Sequence, residues 1–519
     1  MKKLSKLHAF NLILPVVVLG ISSGALTGAA VTLYRFLAQH VIGLSEKIYH
    51  YSSHNLWSIA IAIPLFFLLA FLLSKIYKKM PTLQGGGISE AMGLINGIFT
   101  FKWLRSLIGT VVLSLTNFLI GVPLGNEGPA VQIGASMGEA STRLFGKKGH
   151  VWSRYSIAGG SCSGFAAATG APMTGIIFAI EEMHHRLSPI ILIISLISVA
   201  ACRIVTELLC PILGVSLELF PTLSLPSLTI KEIWIPLITG IFLGLFSVFF
   251  LNMYRGINHL INKTLKKINK TIKLFAVMLL TFILGNLSFS SISTGHHLIS
   301  ELFEPRGFSI VIICLLFARL LLTHSANSAG LTGGMFLPTL AICALASAVL
   351  AQGLVSIGAL GNDYYTLIIV LGIVAGMSGI MSLPFTAILF ALEVLSCSNN
   401  LLAIILSAGI AYTIAELFHS KSVNELALEK RIERESEGKE QKSYECDVVV
   451  KTDAFVIGKQ IKDIFWPSGL FVLSVSHPEG SRSHGGYLQE GDVLRVCYTT
   501  QNNERILEDL YAIVGQQTQ

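Results

Sequence analysis

Long apolar stretches recur along this chain, and no other feature restricts its fold as strongly. They begin with residues 10–37 and 55–74 and return until about residue 418. A membrane-spanning helix needs roughly 20 apolar residues, so there is room for about ten or more spans. Only 13% of the residues are charged while 52% are hydrophobic, whereas about 25% are charged in an ordinary soluble protein. An all-α polytopic membrane protein is therefore expected. Glycines recur inside the stretches, at Gly159-Gly160, Gly330 and Gly333-Gly334. Such breaks predict broken or re-entrant helices, which need protein or water to satisfy the freed backbone groups. The first run follows Lys2, Lys3 and Lys6. It is too long for a signal peptide and reads as a retained span that starts in the cytoplasm.

The net charge of +7 does not point to nucleic acid, because the lysines cluster between apolar runs: Lys75, Lys78 and Lys79, Lys147 and Lys148, and several from Lys263 to Lys273. Short Lys-rich loops tend to stay cytoplasmic. Cys162, Cys202, Cys210, Cys314, Cys343 and Cys397 lie in the apolar region, with Cys446 and Cys497 in the tail. No CxxC pair occurs, so these read as small core residues and no metal is expected. A membrane-embedded enzyme is disfavoured, since no HExxH, Gly-x-Ser-x-Gly or Walker sequence is present; no cofactor is expected.

Composition changes after residue 420. Residues 1–420 form the transmembrane domain, and 421–443 a charged helix and linker carrying Glu425, Glu429, Lys430, Arg431 and Glu433. Residues 444–519 read as a small α+β domain. Its strands are expected at Val448–Val450, Leu470–Leu473 and Val493–Val496, with a turn at Gly491-Asp492 and a helix from Glu504 to Val514.

The membrane part repeats itself. Ala171-Pro172-Met173-Thr174 through Glu181 resembles Leu383-Pro384-Phe385-Thr386 through Glu393, an offset of 393 − 181 = 212. The glycine-rich sequence ending at Pro129 is echoed by the one ending at Pro338, an offset of 338 − 129 = 209. Two echoes at nearly one offset predict two related halves, with a binding site where interrupted helices meet near the membrane midplane.

Three glycine-rich breaks precede helical runs: Gly85-Gly86-Gly87-Ile88-Ser89-Glu90, Gly125-Asn126-Glu127-Gly128-Pro129 and Gly333-Gly334-Met335-Phe336-Leu337-Pro338. A helix N-terminus exposes backbone N–H groups and partial positive charge, which suits an anion. Glu127 sits inside the second break. A carboxylate there can imitate the permeant anion while ionised and leave once protonated, acting as gate and proton carrier; the alternative is a helix N-cap facing water. Glu181 and Glu182, before His184, His185 and Arg186, fit a helix end at the cytoplasmic surface. Glu393 is the repeat partner of Glu181, which suggests a structural role for those two; Glu182 has no such partner, because Val394 takes that place.

With these residues in view, the chain is similar to the chloride-channel (CLC) family, prokaryotic type, over roughly residues 10–435. Gly-Asn-Glu-Gly-Pro resembles that family's Gly-Arg/Lys-Glu-Gly-Pro motif, Gly-Gly-Met-Phe-Leu-Pro its Gly-x-Phe-x-Pro motif, and Gly-Gly-Gly-Ile-Ser-Glu its Gly-Ser-Gly-Ile-Pro-Glu motif. The resemblance implies a homodimer in the bacterial inner membrane, with one anion pathway per subunit and two inverted halves in each. It makes Glu127 the external gating glutamate and Glu182 the internal proton glutamate. Gly86, Gly87 and Ile88 would bind the anion from one side, and the amides of Met335 and Phe336 from the other. Asn424 falls where the family has an anion-facing tyrosine, since Lys421-Ser422-Val423-Asn424 resembles Lys-Pro-Leu-Tyr. The tail resembles the TrkA-C regulatory domain through Phe455–Lys459, Trp466-Pro467-Ser468-Gly469 and Leu488–Asp492, implying a cytoplasmic module that binds a small ligand or dimerises.

Three departures stand out. Gly86 replaces a serine whose hydroxyl faces the anion, Ser89 replaces a proline, and Asn126 replaces a basic residue. Losing side-chain donors to the anion predicts weaker binding, at about 1.5–3 kcal/mol per hydrogen bond to a charge. A proton-coupled Cl-/H+ exchanger is the expected function, with chloride or a similar anion and protons as its partners. A gated passive anion channel is the alternative. A cation transporter, suggested only by the tail, is opposed by the three anion-type breaks.

Overall fold

The computed structural model describes residues 2–55, 57–143, 149–184, 188–305, 309–436, 442–452, 454–467, 469–477, 486–500 and 503–516. Lys147, Lys148, His185, Arg186 and Ser468 lie outside them. The first half contains α1 (Lys2–His54), α2 (Trp57–Lys79), α3 (Ile88–Ile95), α4 (Trp103–Ile120), α5 (Glu127–Thr142), α6 (Gly149–Thr169), α7 (Pro172–Phe178) and α8 (Pro189–Leu213). The second contains α9 (Trp234–His259), α10 (Lys270–Leu287), α11 (His296–Leu302), α12 (Ile310–Ala329), α13 (Phe336–Ser356), α14 (Tyr365–Met381), α15 (Pro384–Glu393) and α16 (Leu401–Leu417). Among the described residues, 10 helices are long and apolar enough to cross a membrane. At 1.5 Å per residue, α3, α7, α11 and α15 stop well short of a hydrocarbon core about 30 Å thick. Glycine or proline precedes or opens α3, α7 and α15 as expected, whereas Gly159-Gly160, expected to break a helix, lie inside the uninterrupted α6, where the missing side chains serve close helix packing.

Small residues let the helices approach at backbone distance, the usual way helices associate in lipid. On α5 and α6, Gly134 and Gly138 face Gly160 and Gly164. A Cβ on Gly134 would lie 2.1 Å from Gly160 O, and the converse distance is also 2.1 Å. Cys162, Cys202, Cys210, Cys343 and Cys397 are buried as expected, whereas Cys314 is exposed.

The repeat becomes visible as reciprocal capping. A π-helical turn, Ala179–His184, continues α7 and carries Glu181 and Glu182. Glu181 accepts from the N–H groups of Phe385 (3.1 Å) and Thr386 (2.8 Å) and from Thr386 Oγ1 (2.6 Å), at the start of α15. Glu393, at the end of α15, accepts from Met173 N (2.8 Å), Thr174 N (2.8 Å) and Thr174 Oγ1 (2.7 Å) at the start of α7.

After α16, α17 (Val423–Ser436) leads toward a three-stranded antiparallel sheet in the order β1-β3-β2, formed by β1 (Lys442–Val449), β2 (Leu470–Ser476) and β3 (Val493–Thr500). Helix α18 (Asn503–Val514) closes this C-terminal domain, its Leu510 sharing a buried cluster with Val448, Val456, Leu494 and Val496. The domain docks on the first turns of α6. Arg154 pairs with Asp509 at 3.1 Å, Tyr155 donates to Asp463 O at 2.9 Å, and the Phe455 ring meets Trp152 edge-on with centroids 4.9 Å apart.

Candidate functional site

The three glycine-rich breaks meet in space. Gly125 N donates to Gly334 O at 2.6 Å and Gly334 N to Gly125 O at 2.8 Å, a two-residue antiparallel bridge between the two halves. Gly333 N donates to Gly85 O at 3.1 Å and so adds the first break. Contact is backbone on backbone. A Cβ on Gly87, where φ is 82°, would lie 2.2 Å from Gly128 O, and one on Gly128 would lie 1.7 Å from Gly86 O. The N-termini of α3, α5 and α13 are thereby held together, and a helix start carries backbone N–H groups without intrahelical acceptors.

Hydrogen bonds from outside the breaks fix these turns. Thr332 N donates to Tyr77 Oη at 3.1 Å, and Asn117 Nδ2 donates to Thr332 O at 2.8 Å, which steadies the approach to α13. Glu90 Oε2 accepts from Gly87 N at 2.7 Å and from Ser89 Oγ at 3.1 Å, while Arg431 of α17 pairs with Oε1 at 2.8 Å. Ser89 thus joins the carboxylate that shapes the first glycine-rich turn.

Glu127 is the first residue of α5, after Asn126, and is fully buried. Among the described residues no protein group reaches hydrogen-bond geometry with either carboxylate oxygen. A water-facing N-cap, the plain alternative, is thus not what Glu127 is. A Cβ at Gly125 would lie 2.3 Å from Oε2, so the side chain folds back over the glycine bridge. Met335 caps α13 and Phe336 opens it, both buried; the Phe336 ring meets those of Phe165 and Phe390 edge-on at 5.0 and 5.7 Å. Gly86 is different from its glycine neighbours. A Cβ there would meet nothing nearer than Gly333 O at 3.9 Å, so the direction of the missing serine side chain is open.

Glu182 is 1% exposed, so it is not a solvated helix end. Its Oε1 accepts from Asn424 Nδ2 at 2.7 Å. The Asn424 amide, expected to face the anion, is thus engaged through at least one N–H with Glu182.

A cavity of about 640 Å³ reaches Asn126 and Leu337 and is also lined by Arg35, Arg319, Glu46 and Glu218. The two carboxylates are exposed, while Arg319 is buried against the carbonyls of Ser290 and Ile292. Arg35 of α1 donates to Ala167 O at 2.9 Å and Ser216 O at 2.7 Å. The cavity therefore has cationic guanidinium groups although Asn126 is neutral. Sequence reasoning overlooked Arg35; the available signal was a lone cation inside an apolar run.

The description "Voltage gated chloride channel" belongs to a family model that matches residues 66–416, more than half of the chain. Among solved structures, the chain resembles a slow cyanobacterial Cl-/H+ antiporter with TM-score 0.72 and 21% identity, over 81% of this chain and 99% of that one. It resembles a CLC-type fluoride/proton antiporter with TM-score 0.62 and 20% identity, over 78% and 96% of the two chains. A eukaryotic CLC transporter matches with TM-score 0.64 and 18% identity, over 80% and 74%. At such identities these structures speak to the fold. The match to the family model covers the three glycine-rich breaks and the buried Glu90, Glu127 and Glu182, and the chain belongs to the voltage gated chloride channel (CLC) family.

Proposed function

We propose that this protein exchanges chloride or a similar small anion for protons, with Glu127 as the external gate and proton carrier and Glu182 as the internal proton site. The observation that carries this reading is the buried, unpartnered carboxylate of Glu127 at the junction of three helix N-termini. Ionised, it takes the place that the helix ends favour for an anion; protonated, it loses that attraction and gives way. Gly87, Ile88, Met335 and Phe336 supply the surrounding backbone, with Gly86 leaving space beside it. The Cl-/H+ and fluoride/proton antiporters with the same fold support coupled exchange. The proposal includes a homodimer in a cell membrane, and a cytoplasmic TrkA-C-like tail that senses a small ligand or dimerises.

A passive anion channel is the second reading, favoured by Gly86 and by the commitment of Asn424 to Glu182. Liposome flux separates the two. In the exchanger, a chloride gradient drives protons uphill; chloride movement without proton movement would leave the channel. Repeating the assay with nitrate and fluoride tests the anion preference.

A further inference from the structure

Asn424 meets a buried carboxylate, and the geometry assigns it a task. Its Nδ2 faces Glu182 Oε1 at 2.7 Å, the orientation an ionised carboxylate requires, since the flipped amide would then set two oxygens against each other. The contact is buried, with Glu182 1% and Asn424 8% exposed. A capping box holds Asn424 in place: Ser422 N donates to Glu425 Oε2 and Glu425 N to Ser422 Oγ, each at 3.1 Å, which fixes the first turn of α17. About two turns further along the same helix face, Arg431 reaches Glu90, whose other oxygen accepts from Gly87 N. One face of α17 therefore touches both the internal proton carboxylate and the carboxylate that shapes the anion turn.

We propose that Asn424 is a positioning residue for the internal proton step. It reserves Glu182 Oε1 as an acceptor and leaves Oε2 as the oxygen that takes up and releases the proton, while α17 ties this carboxylate to the anion turn through Arg431 and Glu90. The proposal rests on the exchange reading above. An amide cannot itself relay the proton, because it gives up none at accessible pH. It can, however, donate to Oε1 in both states of the cycle. When Glu182 is ionised, Oε1 shares the negative charge; when a proton sits on Oε2, Oε1 is the carbonyl oxygen and still accepts. A cationic donor would hold Glu182 ionised, and a second carboxylate would compete for its proton. A neutral donor permits both states without reorienting. The proton enters from the inner solution onto Oε2 and leaves from Oε2 toward Glu127, with no other bond made or broken.

The test uses the full-length protein in liposomes. Infrared difference spectra follow the Glu182 carboxyl against pH, with its band assigned by its loss in Glu182→Gln. Asn424→Leu removes the donor at similar volume, and Asn424→Asp offers a second carboxyl and keeps the position polar should the first variant misfold. In Asn424→Leu the Glu182 titration and the internal-pH dependence of proton transport are expected to move together toward alkaline pH by about one to two units. In Asn424→Asp they are expected to move in the same direction. Titrations unchanged in both variants, with only chloride affinity altered, overturn the proposal and return Asn424 to the anion. Should the wild-type protein move no protons, the exchange reading falls, and the infrared titration still decides whether Asn424 controls Glu182.

Discussion

Glu181 and Glu393 each cap a helix in the opposite half of the membrane domain: Glu181 binds the start of α15, and Glu393 the start of α7. Each carboxylate takes two backbone N–H groups and one threonine hydroxyl, and each lies next to the partial positive charge of a helix N-terminus. Neither half satisfies its own helix end. The repeat is thus a structural device as well as a trace in the sequence, and it holds together the two halves whose junction carries the candidate site.

Replacing either carboxylate with a methyl group strands two N–H donors. Glu181→Ala and Glu393→Ala are each expected to lower stability by about 2 kcal/mol. The two caps share no partner, so the double variant should lose close to the sum. Denaturation of the detergent-solubilised protein measures all three; a near-neutral Glu181→Ala would remove the capping role.

Gly86 and Gly128 should respond oppositely to an added side chain. Gly86→Ser places its Cβ in open space and can return a hydroxyl to the site. It is expected to tighten chloride binding about tenfold, the worth of roughly 1.4 kcal/mol and near the lower end for a hydrogen bond to an anion. Gly128→Ala drives its Cβ to 1.7 Å from Gly86 O and should abolish flux. Calorimetric titration with chloride reads the first effect and liposome flux the second.

Glu127→Gln and Glu127→Ala remove the titratable group from the glycine junction. Proton movement coupled to chloride is expected to vanish in both while chloride still crosses. Proton uptake that persists under a chloride gradient would show that Glu127 is not the gate.

Lys459 predicts a pH dependence in the docked tail. Its Nζ is buried against the rings of Trp152 and Phe455 and donates to Phe455 O at 2.7 Å. Burial pushes the ammonium down from its ordinary 10.5 to about 6, an effect the aromatic faces oppose. Between those values the unfolded lysine holds a proton that the folded one lacks. Stability should therefore rise with pH across that window and level off below about 6. Calorimetric melting from pH 6 to 9 should show this slope, and Lys459→Met should flatten it.

Much of the architecture was legible from local patterns. Apolar runs gave the spans, glycine and proline gave most of the breaks though not one at Gly159-Gly160 inside α6, and the repeat pointed to two halves. The second and third strands and the last helix of the tail start at or within one residue of where alternation and turn residues put them, whereas the first strand begins at Lys442, six residues before the expected Val448. Glu127 stood out in the sequence because an acid among glycines inside an apolar run is costly without a purpose, and it is buried at the glycine junction. The role of Arg431 could not, because in a charged helix it looks like any solvated residue, yet it is buried against Glu90 and Phe99.

By itself, the sequence determined that the chain spans a membrane in two related halves with three glycine-rich helix starts. Hydropathy, helix breaking and backbone freedom are properties of neighbouring residues, so they survive in a linear text. Tertiary structure alone decided that those starts converge, that Glu127 is sealed from water, and that the Asn424 amide meets Glu182, 242 residues away in the chain. A side-chain amide has two donors and no local preference among distant acceptors; only the packing of α17 beside the π-helical turn brings it to one.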